Sequence, residues 1–371
     1  LSRRPTRALI HRDAIGHNFE ALRNAITPRA DIMAVVKADA YGHGAVAVAA
    51  ELSAKGCPSF AVALASEGME LRESGITEPI IILGGIFSGD CEVIFNHDLT
   101  PVIHNLESAS LINKKAKALG LVKPVHLKID TGMARIGIRP SEARNFFERL
   151  KGLANIRLEG LLSHFVEADV PESPFSALQL KAFKDTVDLA MDLGFNIKYL
   201  HMANSAAIVR MKEAHFNLVR PGIMLYGSYP ATDLTKAINL KPVMEFKTTV
   251  LQLKNLPAGN PVSYGRTFVT KRDSIVAVLP VGYGDGLPRN LSGRGDVLIR
   301  GARAPIIGLI CMDLTVCDVT DIKDVSIGDE VTIIGQDGNE GITSEEIARL
   351  TETISYEIFC NISKRVPRIY L

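Results

Sequence analysis

The sequence predicts an α/β protein: a (β/α)8 barrel of the TIM type, followed by a smaller, mainly β C-terminal domain. Three observations carry this. Eight short β-rich runs alternate with helix-patterned or short connecting stretches over roughly 230 residues, the size of one such barrel. No G-x-G-x-x-G follows the first run, which disfavours the doubly wound sheet that shares this alternation. After about residue 240 the texture changes to short β runs divided by Gly, Pro and Asp turns.

Taken in order, 32–37 "IMAVVK" is an apolar run with the look of a buried strand, and the Ala-rich stretch 43–55 suits a helix. The runs 59–64 "SFAVAL" and 80–83 "IIIL" flank a helical stretch at 66–74. Next come 99–103 "LTPVI", a helix over 105–119, 124–129 "PVHLKI" and a helix over 141–151. The runs 157–163 "RLEGLLS", 198–202 "KYLHM" and 217–220 "NLVR" complete the eight, with a helix over 176–194. Residues 1–240 are therefore assigned to the barrel and 241–371 to the second domain, with the first ten or so free to pack on the latter. The second domain reads as "FKTTVLQLKNL", "SIVAVLPVGYG", "DVLIRGARAPIIGLI", "TVCDV" and "EVTIIGQ", with one helix at 344–354.

The 371 residues are 47% hydrophobic and 22% charged, with a formal net charge of +1. That balance gives no electrostatic footprint for nucleic acid or an anionic membrane surface. No apolar run approaches the ~18 residues that would span a bilayer. The opening "LSRRPTRALIHRD" is basic but has no apolar signal-peptide core, so a cytoplasmic location is expected. Five scattered cysteines (Cys57, Cys91, Cys311, Cys317, Cys360) with no C-x-x-C fit reduced thiols in such a compartment.

A lysine ending an apolar strand is costly unless it is paired or its pKa is lowered, so Lys37 in "MAVVKADAYGHG" asks for a reason. Barrel active sites form at strand C-termini. Lys37, Lys128, Asp130, His164, Asn204, Ser205, Arg220 and Gly222 all fall there. The loops after the last two strands commonly bind phosphate in this fold. "HMANSAA" opens a helix with small and hydroxyl residues, and "RPGI" brings a Gly for close backbone approach. A phosphate seat facing a lysine allows two readings: a lysine-dependent aldolase, or pyridoxal phosphate linked to Lys37 as a Schiff base. Arg220 favours the second, as a partner for the ring nitrogen. A metal centre built from His126, His164, His201 and Lys128 is disfavoured, because the first strand lacks His-x-His and Arg220 stands where an acidic ligand would close the set. No metal is expected.

Ten segments then appear in order: "AVVKADAYGHG", "HLKIDTGMARIG", "SHF", "HMANSAA", "RPGIMLYG", "VSYGRTF", "PVGYGDG", "CMD", "SYEI" and "RVPR". Through them the chain resembles alanine racemase, the fold-type III pyridoxal-phosphate family, over nearly its whole length. The resemblance implies interconversion of L- and D-alanine for peptidoglycan synthesis by a head-to-tail homodimer. It implies Lys37 and Tyr264 as the two bases, Tyr264 coming from the partner subunit. Tyr41, Ser205, Gly222, Ile223 and Tyr356 would hold the cofactor phosphate, with Asn204 beside them. Arg220 would face the ring nitrogen, and His164 would link Arg220 towards the tyrosine. Arg135 would contact the cofactor and the substrate carboxylate, and Lys128, often a carbamate in the family, would hold Arg135. Met312 would bind the carboxylate through its backbone with support from Asp313, while Tyr283 and Arg289 would line the entrance.

The chemistry agrees, since racemisation removes a proton from one face of Cα and returns one to the other, which needs two bases. A tyrosine base at neutral pH needs cationic neighbours, because a phenol ordinarily ionises near about pH 10. His164 and Arg220 are expected to supply them. Two positions depart from the family pattern: Leu309 where Arg is usual and Leu314 where Gln is usual. They leave open a racemase for serine or a broader range of amino acids. A decarboxylase of the same fold type lacks its Gly-rich phosphate loop here, and a non-catalytic cofactor carrier would have no need of the second domain.

Overall fold

A computed structural model describes residues 4–371. After an N-terminal strand β1 (Arg7–Ile10), the eight expected runs form β2 (Asp31–Val35), β3 (Ser59–Val62), β4 (Ile80–Ile82), β5 (Thr100–Ile103), β6 (Lys123–Lys128), β7 (Ile156–Leu162), β8 (Tyr199–His201) and β9 (Leu218–Val219). They make one parallel sheet in the order β8-β7-β6-β5-β4-β3-β2-β9, so the last strand lies beside the first and the sheet curls into a nearly closed barrel. Strands β2 to β5 are buried almost throughout, which is why they read as continuous apolar runs, whereas β7 exposes Arg157 and leaves Glu159 half-buried.

The two ends of that order, β8 and β9, meet without a ladder. The seam is stitched by Asn217, whose Oδ1 accepts from Leu200 N at 2.8 Å and whose Nδ2 donates to Lys198 O at 2.7 Å. Arg220 N donates to Ala203 O at 2.9 Å just beyond it. Two of the long outer helices start on side-chain caps. Asn105 accepts from Ser108 N before Leu106–Ala118, and Ser173 accepts from Ser176 N before Pro174–Asp192, which has Pro in its first turn.

The second domain is built on a seven-stranded sheet that contains both ends of the described chain. β1 pairs antiparallel with Met244–Thr249 and parallel with Arg368–Tyr370. A separate three-stranded sheet joins Gln252–Leu256, Ser274–Leu279 and Thr315–Asp318. Met244–Thr249 alternates buried and half-buried residues, as expected where one face meets the core. The sequence predicts a single helix here, whereas the structure has two, Ser344–Leu350 and Ser355–Asn361. The second is only two turns long, too short for its periodicity to register. It is nonetheless the element that reaches the barrel mouth. Phe359 O lies 2.4 Å from where a Cβ on Gly42 would stand, and Arg368 Nε donates to Gly42 O at 3.0 Å.

One buried carboxylate ties the loops of this domain. Asp285 is fully buried and accepts from Arg365 Nε at 2.7 Å, from Arg4 Nη2 at 2.7 Å and from Gly282 N at 3.0 Å. Burial alone would raise its pKa, but Arg4, Arg365 and the Gly282 N–H outweigh that and hold it below the usual carboxylate value. A depressed native pKa adds stability that is present above the unfolded pKa and lost as pH falls through the native one. D285N should therefore lose about 3–5 kcal/mol at neutral pH and flatten the acid limb of the stability curve below about pH 4. Thermal melts of both proteins from pH 3 to 7 check this.

Candidate active site

Lys37 is carried by an unusual backbone. The four residues after it, Ala38 to Tyr41, all adopt left-handed angles, with φ of 52°, 54°, 52° and 54°. Such a conformation costs roughly 1–2 kcal/mol per residue without glycine, so the surroundings must impose it. Glu67 does much of this: its Oε1 accepts from Ala38 N at 2.7 Å, and its Oε2 accepts from Ala63 N at 2.7 Å and Leu64 N at 3.0 Å. Asp39 closes the turn by accepting from Ala45 N at 2.8 Å, at the start of the next helix. The result directs Lys37 and Tyr41, four residues apart, into one cavity.

That cavity, about 700 Å3, opens at the C-terminal ends of the barrel strands. Lys37, Lys128, Arg135 and Arg220 line it, and no carboxylate does among the described residues. Burial first, then Arg135, lowers the Lys37 pKa. Lys128 is buried against Arg220 and Arg135 and is held well below its ordinary value. A cavity so charged seeks anions, and its amines are neutral more readily than free lysine.

The residues expected to seat an anion meet at the β8–β9 seam. Asn204 opens the helix Ser205–Arg210 by accepting from Ala207 N at 3.0 Å, and Ser205 Oγ accepts from Gly222 N at 2.9 Å. A Cβ on Gly222 would lie 2.4 Å from Tyr41 Oη, so only glycine lets that hydroxyl reach the seat. Ile223 begins the 3-10 turn Ile223–Tyr226, and Tyr356 closes the side, its ring centre 5.8 Å from that of Tyr41. Burial, aided by Asp169, pushes the Tyr356 hydroxyl up to about 12, and burial raises Tyr41 further, so both tyrosines keep their hydroxyl protons.

Arg220 is buried behind the cavity. Its Nη1 donates to His201 O at 2.6 Å and meets His201 Nδ1 at 2.9 Å. Its Nη2 donates to Ser163 O at 2.6 Å, with Met202 O at 3.3 Å and His164 Nδ1 at 3.4 Å. The terminal nitrogens are thus occupied by the barrel frame, which leaves the Nε–H for the cavity. Burial lowers its pKa to about 10, still cationic at neutral pH. His164 departs from expectation: burial, then Arg220, presses its pKa well below the ordinary value. That shift favours the neutral imidazole, which adds no positive charge for a tyrosine.

The remaining expected residues stand apart from this cavity. Tyr264, Tyr283 and Met312 are 70%, 42% and 53% exposed, and Arg289 and Asp313 are exposed too. Their loops are laced into one patch on the β domain. Ser263 Oγ donates to Leu309 O at 2.5 Å, Gly284 N to Met312 O at 2.9 Å, and Arg365 Nη2 to Asp313 Oδ1 at 2.6 Å. Lys128 and Arg135 face the same cavity, but a lysine held towards its neutral form brings no negative charge to Arg135, so an ion pair between them requires an anionic form of Lys128.

Four residues at the site are not legible as such in the sequence. Glu67 acts across 29 positions, Tyr226 packs with its ring centre 4.9 Å from that of Tyr41 and donates to Val35 O, and Cys360 lines the cavity from the unforeseen helix. His201 has the residue type of a metal donor, whereas its ring faces Arg220. Because the Tyr41 hydroxyl depends on a bare Gly222, G222A should weaken binding of a phosphate-bearing ligand by about 10-fold. Equal affinities in a fluorescence titration of the two proteins would contradict the seat.

Comparisons with known proteins agree in both domains. Residues 10–230 match the family model "Alanine racemase, N-terminal domain" and residues 243–370 match "Alanine racemase, C-terminal domain". The alanine racemase of Halothermothrix orenii is 46% identical over 367 residues, covering 99% of this chain and 97% of the relative. Among solved structures, alanine racemase of Clostridium difficile 630 superposes with a TM-score of 0.94 at 38% identity, covering 100% of this chain and 97% of that one. The Bacillus anthracis alanine racemase with bound L-Ala-P gives 0.94 at 34% identity, covering 100% and 96%. The barrel, the second domain and the full-length likeness lead to one conclusion: this chain belongs to the alanine racemase family of isomerases.

Proposed function

We propose that the protein interconverts L- and D-alanine with pyridoxal phosphate held in the barrel cavity, and that the working unit is a head-to-tail homodimer. The observation that carries this is the cavity itself: four basic side chains, no carboxylate among the described residues, a lysine with lowered pKa and the hydroxyl residues Tyr41, Ser205 and Tyr356 in its lining. Those residues fit a phosphorylated aldehyde together with an amino-acid carboxylate. Tyr41, Ser205, Gly222, Ile223 and Tyr356 would take the phosphate with Asn204 beside them, Lys37 would be the covalent anchor, and the Arg220 Nε–H would face the ring nitrogen. Bound, the cofactor supplies an electron sink that acidifies the substrate Cα–H.

The chain's own residues do the rest. Arg135 orients the substrate carboxylate, aided by the Met312 backbone and Asp313 of the partner subunit. Lys37, released by the substrate as a neutral amine, takes or returns the proton on one face. Tyr264 of the partner subunit serves the other face, which accounts for its exposure in the single chain. Exposed apolar residues in the loop after β4 and in the helix Pro174–Asp192, Phe87 at 64% and Leu178 at 62%, would give the partner's β domain a surface to cover. Tyr283 and Arg289 would then border the entrance. A carbamate on Lys128, which needs the neutral amine that its surroundings favour, would hold Arg135. The D-alanine formed would serve peptidoglycan synthesis in the cytoplasm.

Leu309 and Leu314 favour a second reading of substrate range, since an aliphatic corridor is less selective than one lined by Arg and Gln. Relative turnover of alanine, serine and lysine separates the two. Circular dichroism of L-alanine with the cofactor-loaded protein tests the main reading: the signal should decay towards zero, and a constant signal would contradict it. Y264F should slow proton removal from L-alanine more than from D-alanine, and equal slowing would reject its assignment to one face.

A further inference from the structure

The hydrogen bonds behind Arg220 have a direction. A guanidinium only donates, so His201 Nδ1, 2.9 Å from Arg220 Nη1, must be the bare nitrogen of its ring. Burial, then Arg220, holds His201 neutral, so its single proton is on Nε2. That nitrogen lies 2.8 Å from His126 Nδ1, which therefore accepts and leaves the His126 proton on its own Nε2. Burial, then Arg220, keeps His126 neutral as well, with a pKa of about 3.

The fold makes room for this pair. A Cβ on Gly160 of β7 would lie 2.6 Å from the His126 ring, and the β6–β7 register shifts between Val125 and His126. His126 also borders a separate cleft of about 320 Å3 at the opposite, N-terminal end of the strands, beside Asp31, Thr100 and Tyr199. Arg220, His201 and His126 thus form one line through the barrel core.

We propose that His126 is a positioning residue for the reaction: by accepting from His201 it locks the tautomer that lets His201 accept from Arg220, and so fixes the one guanidinium N–H that faces the cavity. Without an acceptor at His126, the His201 proton can move to Nδ1, where two donors meet and Arg220 must turn away. The positioning role rests on Arg220 as the partner of the cofactor ring, whereas the tautomer lock itself does not.

Nitrogen-15 NMR of the histidines in the full-length protein as purified reads the lock directly. His201 should carry its proton on Nε2, and a protonated Nδ1 would overturn the proposal without bearing on the cofactor. H126N places an amide oxygen where Nδ1 stood and should keep the wild-type tautomer and cofactor affinity. H126F removes the acceptor. It should give a mixed His201 tautomer, a shifted cofactor absorption band and cofactor binding weaker by on the order of 10-fold. H126F indistinguishable from wild type, or H126N as impaired as H126F, would each overturn the positioning role. If H126F does not fold, H126L makes the same comparison, and the wild-type tautomer decides by itself.

Discussion

Like-charge crowding in one half-buried cavity is the constraint around which the rest of the molecule is arranged. Lys37, Lys128, Arg135 and Arg220 face the same space, with no carboxylate beside them among the described residues. Isolated, such a set is unfavourable, since each cation loses water and meets its own sign. The barrel answers in two ways. Arg220 stays charged because carbonyls of Ser163, His201 and Met202 surround its terminal nitrogens. Lys37, Lys128 and His164 instead yield towards their neutral forms. Anions that enter relieve what remains, and that makes a phosphate and a carboxylate the natural occupants.

Backbone strain is placed at the same point. Four left-handed residues would not persist on an exposed loop, and here they are over-determined by Glu67, Asp39 and the helix Ser355–Asn361 from the other domain. β1 and the C-terminal strand both join the sheet of that domain, and Arg368 binds the end of the strained turn at Gly42. Stability of the β domain and geometry of the lysine are therefore coupled. The β8–β9 seam is complementary, since a barrel that does not close there by a ladder lets the helix start at Ser205 meet the turn at Gly222.

How much of this a sequence can show depends on the range of the interaction. Barrel strands such as β3 and β4 are legible because burial on both faces makes each a compact apolar run, and the others by their place in the alternation with helices. Their order along the chain is enough to place Lys37, Lys128, His164, Asn204, Ser205 and Arg220 at one rim. Glu67 is not legible, because its partners are backbone N–H groups, one of them 29 positions away, and no residue type announces them. His126 and His201 mislead by type alone: histidine suggests metal, and only geometry shows which nitrogen meets which neighbour. The helix Ser355–Asn361 is hidden by its length. Tyr264 is legible through family likeness alone, since in the single chain it does not line the cavity.

In the proposed function that last point would divide the labour between subunits: one chain's barrel would bind and anchor, and the other's β domain would supply the second base. Mixing two inactive variants tests it most directly. K37A has a ruined cavity and an intact tyrosine, while Y264A has the reverse. If the site is shared, unfolding and refolding the two together should restore racemisation through hybrid dimers with one intact site. If a chain uses its own Tyr264, the mixture should stay as inactive as its parts.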